Sequence, residues 1–301
     1  MKICILAHTF PFFLQDSTAA FMHPLVEGIQ TQKNSVFVLL PYTEGLIKES
    51  FPYPIITYKY IYPKSMHTLG FGRSLKEGNI LTRESYLLSA FLLFFGIISL
   101  YKLCRKQKID IVSAHWVLPN GLIAFVVSKI LNIPYTVSLP GSDVYISKKN
   151  KLFSSIANIV INNASEVISD SPTYIQKAME DNSRQFSYSI IPYPVNIKNI
   201  RKNKIIGEKI RKKLLIPKNK IIILCVARLI KKKGIKYFID AVYQISKLDK
   251  NIEAIIVGDG DLKEELQLQI NRLHMENKII FTGNIDRKEL PAYYNAADIF
   301  V

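Results

Sequence analysis

The sequence predicts an α/β protein with two Rossmann-like, doubly wound parallel-sheet domains in series. Short runs rich in Ile, Val and Leu alternate with longer amphipathic segments along nearly the whole chain. Such runs are typical of strands covered on both faces, and strand–helix repetition is typical of a parallel sheet. The length of 301 residues is sufficient for two domains.

The apolar runs predict strands in two sets. The first set is Ile3–Ala7, Val36–Leu40, Ile55–Tyr60, Ile109–Ala114, Tyr135–Leu139, Glu166–Ser169 and Ser187–Ile191. The second set is Ile221–Val226, Glu253–Val257, Lys278–Phe281 and Ile299–Val301. The helices predicted between them are Thr18–Thr31, Glu84–Lys106, Leu122–Leu131, Ser171–Met179, Ile235–Leu248, Leu262–His274 and Arg287–Asn295.

A domain boundary is predicted where Pro192 and Pro194 precede a polar, strongly basic stretch. We therefore expect an N-terminal domain over residues 1–195 and a basic linker and helix over 196–219. A C-terminal domain is expected over 220–301.

The charge favours an anionic partner. The chain has 40 basic and 24 acidic residues and a net charge of +16, which suits phosphorylated small molecules, acidic lipid or nucleic acid. The alternative is a solvated lysine surface. We expect no nucleic-acid partner, because the sequence has neither a helix-turn-helix signature nor an aromatic-studded basic sheet of the RNP type.

The cysteines and the first residues predict a cytoplasmic location. Cys4, Cys104 and Cys225 are spaced like neither a disulfide framework nor a zinc site. The first residues, MKICILAHTF, carry only a short apolar run and predict a strand rather than a signal peptide.

The segment Glu84–Lys108 has two interpretations that do not exclude each other. Its apolar part, Tyr86–Tyr101, is shorter than the roughly 20 apolar residues that a spanning helix needs. One interpretation is a buried crossover helix that leads into the strand at Ile109. The other is a helix on an anionic membrane surface, whose basic end meets acidic headgroups and makes the protein peripheral at the inner face of the cell membrane.

Polar and glycine residues follow the strands of the second half. Arg228 and Lys233 lie between the strand Ile221–Val226 and the next helix, and two fixed cations near a helix amino end can stabilise a diphosphate. The alternative is a solvated basic loop. Gly258 and Gly260 permit close approach of backbone to a ligand, and the backbone at Gly283 and Asn284 can hydrogen-bond a base edge.

These residues stand in longer runs that resemble retaining glycosyltransferases of the GT-B fold. The resemblance is to family four, which includes many bacterial lipopolysaccharide, capsule and lipid glycosyltransferases. The runs in the second half are VARLIKKKGIKYFIDAV, IIVGDGDLKEEL and FTGNIDRKELPAYYNAADIFV. Those in the first half are AHTFPFFLQDSTAAF, AHWVLPNGLIAFVVSKILNIPYTVSLPGSDVY and IIPYPVN.

The resemblance implies a nucleotide-diphosphate sugar as donor, bound mainly by the second half. Arg228 and Lys233 match the pair that holds the donor diphosphate. Other residues match positions that line the donor site or contact the base: Gly258, Gly260, Gly283, Asn284, Ile285 and, from the first half, Gly141.

In the first half, Gly141 and Asp143 match the H-G-S-D stretch beside the reacting sugar, so Asp143 is a catalytic candidate. The family's histidine before this glycine is Pro140 here, whose side chain has no acid, base or hydrogen-bonding role. His115 is the nearby catalytic candidate, with a purely structural histidine as the alternative.

The loop after the first strand normally closes over the donor phosphates through glycine amides. Here its candidates are His8, Asp16, Ser17 and Thr18, and no glycine is present among them. A structural role is the alternative for His8 as it is for His115.

The resemblance also predicts that the second domain is incomplete. In the family, the strand matched by Ile299–Val301 leads into a helix with paired glutamates that hold the donor sugar and ribose. We therefore expect a fragment, a frameshifted product or a degenerate relative.

The implied reaction transfers a sugar to a hydroxyl acceptor, either a lipid-linked sugar or a growing polysaccharide. Retention of anomeric configuration is implied, and no cofactor or metal is expected. A catalytically inactive nucleotide-binding fragment or scaffold and a sugar-nucleotide epimerase are the alternatives. An oxidoreductase is disfavoured, because no G-x-G-x-x-G follows the first strand.

Overall fold

The computed structural model describes residues 1–16, 18–70, 83–141, 151–180, 182, 184–194 and 200–301, with the backbone alone at 83–86. Within the chain, two compact units are distinguished: unit 1 is Met1–Val195 and unit 2 is Asn196–Val301. Each is described by itself.

Unit 1 is a parallel α/β domain. Its strands are β1 Lys2–Leu6, β2 Ser35–Pro41, β3 Ile55–Tyr58, β4 Ile111–His115, β5 Tyr135–Leu139, β6 Glu166–Ser169 and β7 Tyr188–Ile190. Its helices, within the described residues, are α1 Met22–Thr31, α2 Arg83–Gln107, α3 Leu122–Leu131, α4 Lys151–Asn163 and α5 Pro172–Glu180. The sheet order is β3-β2-β1-β4-β5-β6-β7, and every pair is parallel.

Unit 2 repeats the pattern with fewer strands. Its helices are α6 Lys204–Lys213, α7 Ile235–Leu248, α8 Lys263–Arg272 and α9 Leu290–Ala296. Its strands are β8 Ile221–Val226, β9 Ile252–Val257, β10 Ile279–Gly283 and β11 Ile299–Phe300. They form one parallel sheet in the order β10-β9-β8-β11. The predicted α/β class and both parallel sheets are confirmed.

Each sheet is covered by apolar side chains on both faces. In β1, Cys4 and Leu6 enter one core cluster and Ile5 enters the cluster on the opposite face. In β8, Cys225 and Leu224 are likewise divided between the two clusters of unit 2. Because both faces are buried, the strands read as continuous apolar runs.

The helices differ from the prediction most clearly in three places, one of which is α9, predicted from Arg287 but beginning at Leu290. The helix predicted from Thr18 begins at Met22, and α4 was absent from the predicted set. Helix α4 contains Ser, Asn and β-branched residues, which have weak helix propensity. It is stabilised instead by burying Ala157, Val160 and Ile161.

Helix α2 is the crossover from β3 to β4 on one face of the sheet. Leu92, Leu100 and Leu103 on its inner side belong to the core. A Cβ at Gly96 would lie 2.6 Å from Ile123 Cδ1 on α3 and 3.1 Å from Tyr58 Oη, so this glycine permits close packing. The inner face therefore matches the crossover-helix interpretation.

Helix α6 lies against α9 within unit 2. Asn203 caps α6 by accepting hydrogen bonds from the amides of Ile205 and Ile206. Arg211 Nε donates to the Ala296 carbonyl at 2.9 Å, and its guanidinium pairs with Asp298 at 2.7 Å. The contact is closest at Gly207, where a Cβ would lie 2.2 Å from the Asn295 carbonyl oxygen.

We expect Gly207→Ala to destabilise unit 2 by about 1–3 kcal/mol, because the added methyl meets backbone that cannot rotate away. The measurement is the urea midpoint followed by far-UV circular dichroism. Gly28→Ala is the control, since nothing lies within 4 Å of a Cβ there in α1. Trp116, the single tryptophan, reports on unit 1 separately. An unchanged midpoint for Gly207→Ala would contradict the α6–α9 packing.

Candidate functional site

Both sheets reverse their winding direction at a point where candidate residues lie. In unit 1 the reversal falls between β1 and β4, and in unit 2 between β8 and β11. Open parallel sheets bind ligands at the carboxyl ends of strands at such points. His8 follows β1, His115 ends β4, and Arg228 follows β8.

In unit 1, Asn120 joins the two histidines. Its Nδ2 lies 2.6 Å from the His115 carbonyl oxygen, to which it donates, and 2.9 Å from His8 Nδ1. The second contact makes His8 Nδ1 an acceptor. Trp116 stacks beside His8, with ring centroids 4.5 Å apart.

His115 is a buried histidine with unused hydrogen-bonding groups. It is 3% exposed, and neither ring nitrogen has a hydrogen-bond partner among the residues that the structure describes. The same holds for Asn120 Oδ1. Buried polar atoms without partners are costly and are concentrated where a ligand or water completes the bonding.

Both histidines are neutral at physiological pH. Burial lowers the pKa of His8 from 6.5 to about 4. Burial, and secondly the neighbouring His8, lowers the pKa of His115 from 6.5 to about 4. A neutral imidazole has one nitrogen that donates and one that accepts, so His8, whose Nδ1 accepts from Asn120, can donate to a hydroxyl group through Nε2. His115 can use either kind of contact.

The backbone beside His115 is strained. Trp116 has φ 71° and ψ 136°, a region that residues with a side chain rarely adopt. Such strain costs about 1–3 kcal/mol and is concentrated at functional sites. Gly121, which closes this turn, permits close packing, since a Cβ there would lie 2.7 Å from Val160 Cγ1.

Gly141 follows β5 at the same edge of the sheet. Its φ is +103°, and a Cβ would lie 2.4 Å from Tyr174 Cζ. Both the conformation and the tyrosine ring therefore require glycine. The predicted catalytic residue Asp143 lies outside the described residues, so its role stays a prediction.

The loop after β1 contains the other predicted residues of unit 1. The Asp16 carboxylate accepts a hydrogen bond from the Phe12 amide at 2.9 Å, which closes the loop on itself. Thr18 is partly buried, and Ser17 lies outside the described residues.

In unit 2, three strand-end loops are joined by backbone hydrogen bonds. The amides of Ala227 and Leu229 donate to the carbonyls of Val257 and Asp259, both at 3.0 Å. The Gly258 amide donates to the Gly283 carbonyl at 2.9 Å. The loops after β8, β9 and β10 thus form one continuous surface.

The first two glycines of this surface are required by crowding. A Cβ at Gly258 would lie 2.0 Å from the Ala227 carbonyl oxygen, and one at Gly260 would lie 2.6 Å from that of Leu229. Nothing lies within 4 Å of a Cβ at Gly283, whose φ is +70°. Backbone next to Gly283 is therefore open to a ligand, beside the exposed Asn284 and the partly buried Ile285.

Arg228 and Lys233 are two exposed cations on this surface. Within the described part of the chain, neither side chain has a hydrogen bond or an ion pair. The nearby acid is occupied: Asp259 accepts from the Gly260 amide at 2.8 Å and pairs with Lys263 at 3.4 Å. These two contacts, the amide first, hold the pKa of Asp259 below its usual range.

Lys233 also lines a groove of about 540 Å³. The groove is also lined by Cys225 at the end of β8, by Ala227 just after that strand, and by Tyr237 and Val301. The pKa of the Cys225 thiol is raised by burial, an effect that the Lys233 ammonium partly opposes. The groove thus opens at the reversal point of the second sheet.

Two partly or fully buried polar residues of unit 1 were not predicted from the sequence. Asn120 connects the two histidines, and its only signal was a polar residue within the irregular stretch HWVLPNG. His67 is buried against Tyr60, with ring centroids 4.4 Å apart. Residues distant in sequence create both environments. Among the described residues, no three His, Cys, Asp or Glu side chains gather as metal ligands.

Two glycosyltransferase family models match the chain. Residues 207–301 match "Glycosyl transferases group 1", and residues 80–171 match "Glycosyl transferase 4-like". One matched stretch lies in each of the two units. Its two parallel sheets match GT-B glycosyltransferase structures.

Two proteins with similar sequences have names that refer to glycosyl transfer or glycolipid synthesis. A Bacillus subtilis glycosyltransferase assigned to teichuronic acid biosynthesis, TuaC, is 31% identical over 194 residues, which are 64% of this chain and 46% of TuaC. The alpha-monoglucosyldiacylglycerol synthase of Acholeplasma laidlawii is 27% identical over 240 residues, which are 74% of this chain and 60% of the synthase. The matched regions thus span about half of these relatives' length.

A solved structure shares the fold. Anabaena HepE, in complex with UDP and glucose, superimposes with a TM-score of 0.70 at 19% identity. The match covers 100% of this chain and 73% of HepE.

The protonation states of His8 and His115 predict a pH dependence of stability. Because the pKa of His115 is lower in the folded protein, the unfolded chain binds its proton first as the pH falls. The contribution of His115 to the free energy of unfolding is fully present above pH 6.5. It falls by about 3 kcal/mol as the pH is lowered towards 4. We expect His115→Gln to reduce this loss, measured by urea unfolding from pH 7 to 4.5 with Trp116 fluorescence. His274→Asn, at an exposed position, is the control and should leave the profile unchanged. A wild-type profile in His115→Gln would contradict the proposed burial.

Proposed function

We propose that this chain transfers a sugar from a nucleotide-diphosphate sugar to a hydroxyl acceptor with retention of configuration. The observation that carries the proposal is the joined surface of three strand-end loops in unit 2, on which Arg228 and Lys233 have no partner among the described residues. The glycosyltransferase family matches support the class of reaction.

The diphosphate is the part of the donor that this surface suits best. As the bond to the sugar breaks, negative charge accumulates on the leaving diphosphate. Arg228 can bind two phosphate oxygens, and Lys233 adds a compact charge. Lys233 lies next to Gly234, the N-cap residue of α7, so the helix amino end adds to the positive potential.

The nucleoside is proposed to lie along the loop after β10. The Gly283 carbonyl already accepts from the Gly258 amide, so the backbone of the neighbouring Asn284 and Ile285 is the part that can hydrogen-bond the edge of a base. Gly258 and Gly260 lack side chains that would crowd the adjoining loop. The UDP bound in the HepE structure supports a nucleotide in this class of fold.

The acceptor hydroxyl is proposed to lie at the strand ends of unit 1. Neutral His115 and His8 can orient a hydroxyl group, and the resemblance assigns Asp143 beside the reacting sugar. The chemistry uses Arg228 and Lys233 as its cations, so we propose that it needs neither a metal nor a cofactor. If no metal is needed, we expect the transferase activity to be unchanged when EDTA is added.

The acceptor class is proposed as a lipid-linked sugar or a polysaccharide in the cytoplasm, at the inner membrane face. The names of the two relatives, which refer to teichuronic acid and to a glucosylated diacylglycerol, support this class.

Calorimetry with UDP, GDP and ADP tests the diphosphate site directly. We expect Arg228→Ala or Lys233→Ala to weaken binding of the preferred nucleotide about 10- to 100-fold, because each removes a charge-assisted contact. Lys232→Ala is the matched control, a neighbouring exposed lysine on the same turn, and should change affinity less than about threefold. Unchanged affinity in Arg228→Ala would remove the assignment.

Turnover is tested separately from binding. Nucleotide sugars labelled in the sugar are supplied with lipid-linked and polysaccharide acceptors, and the anomeric proton coupling of the product is measured. Retention predicts the donor's configuration in the product. Nucleotide binding without any product would identify a scaffold, and donor consumption without acceptor would identify an epimerase; either result contradicts the transferase.

A further inference from the structure

Helix α2 presents a second apolar face that the domain core does not cover. Four large side chains on it are exposed: Leu87 by 72%, Phe91 by 49%, Phe94 by 59% and Phe95 by 38%. At about 200 Å² per phenylalanine, the three rings alone leave on the order of 300 Å² exposed. That is comparable with the largest patch on a typical monomer, which is often functional.

The exposed residues form one stripe along the helix. At about 100° per residue, Leu87, Phe91 and Phe94 project within some 60° of one another. The buried residues Leu92, Gly96 and Leu100 project on the opposite side. The outer face is therefore continuous, and it is separate from the face that packs on the sheet.

The same stripe becomes basic in the last turns of α2. Lys102, Arg105 and Lys106 are exposed there, and Arg105 projects at the same angle as Leu87. Lys2 adds a further charge, because its Nζ donates to the Gln107 carbonyl at 3.0 Å. Apolar turns followed by basic turns match a bilayer, with acyl chains next to anionic headgroups.

Helix α2 does not cross the membrane in this arrangement. Leu87–Gln107 is long and apolar enough to do so, with a mean hydropathy of 2.1. However, Leu92, Leu100 and Leu103 are buried in the domain core, and Gly96 packs closely on α3. A spanning position would expose the sheet beneath them.

We propose that the outer face of α2 docks unit 1 on an anionic lipid bilayer. The phenylalanine end enters the boundary of the acyl chains, and Lys102, Arg105 and Lys106 contact the negatively charged headgroups. The observations that carry this role are independent of the donor site in unit 2. If the proposed sugar transfer holds, docking also brings a lipid-bound acceptor within reach of a protein that does not span the bilayer.

Vesicle flotation tests the proposal without any nucleotide sugar, so its outcome is independent of the proposed reaction. The vesicles are phosphatidylcholine with or without phosphatidylglycerol. We expect flotation of the whole chain with the anionic vesicles and a decrease at high salt. Failure to float with anionic vesicles would overturn the proposal.

Matched variants separate the two parts of the face. Phe91→Ser with Phe94→Ser should lower partitioning at least about tenfold per ring. The control is Leu215→Ser with Leu248→Ser, two exposed leucines of unit 2, which should float like the wild type. Far-UV circular dichroism checks that each variant remains folded, and Trp116 fluorescence checks unit 1 separately.

The triple variant K102Q/R105Q/K106Q should lose about fivefold per residue, and only with anionic vesicles. K209Q/K212Q/K213Q removes the same charge from exposed positions on α6 and should change partitioning little. Equal losses in both triple variants would show a response to net charge alone and would overturn the site. A second result would also overturn the site. If the protein does not float but sediments as a dimer, and Phe94→Ser dissociates that dimer, the face binds a second copy instead of a bilayer.

Discussion

Parallel strand pairing is the constraint from which the candidate site follows. Every pair in both sheets is parallel, so all strands of a sheet end at one edge. Residues far apart in sequence, such as Arg228, Gly258 and Gly283, are therefore brought to one place. The bonds between these loops use backbone groups, which leaves the cationic side chains available for a ligand.

The strand ends of the two units carry chemically different side chains. Unit 2 offers exposed cations whose nearby acid is already paired with Lys263, which suits an anion. Unit 1 offers a partly buried His8 and a buried His115, both neutral, beside a strained Trp116. Asn120 donates to the His8 ring and to the His115 carbonyl. A neutral imidazole can hydrogen-bond a hydroxyl group, and fixed positive charge can bind a diphosphate. The division agrees with the separate acceptor and donor roles that we propose.

The sequence predicted the strands well because both faces of each sheet are buried, so the signal is a plain apolar run. It predicted α7 to its end residues, since Gly234 and a single apolar face mark that helix. It missed α4, whose weak local propensity is overcome by burial of Val160 and Ile161. The sequence did not predict the role of Asn120, because the residues to which this side chain hydrogen-bonds lie on other elements. Propensity is local, whereas these environments arise only in the folded chain.

Helix α2 is a second case in which the sequence pattern alone does not determine the environment of the side chains. A core helix needs one apolar face, and α2 already satisfies this requirement through Leu92, Leu100 and Leu103. Its second apolar face erases the periodicity by which sequence distinguishes the inside of a helix from its outside. Folding of unit 1 gains little from Phe94, which remains largely exposed. An exposed aromatic row that ends in three cations suits a surface that is both apolar and negatively charged, and the bilayer with acidic headgroups that we propose has both properties.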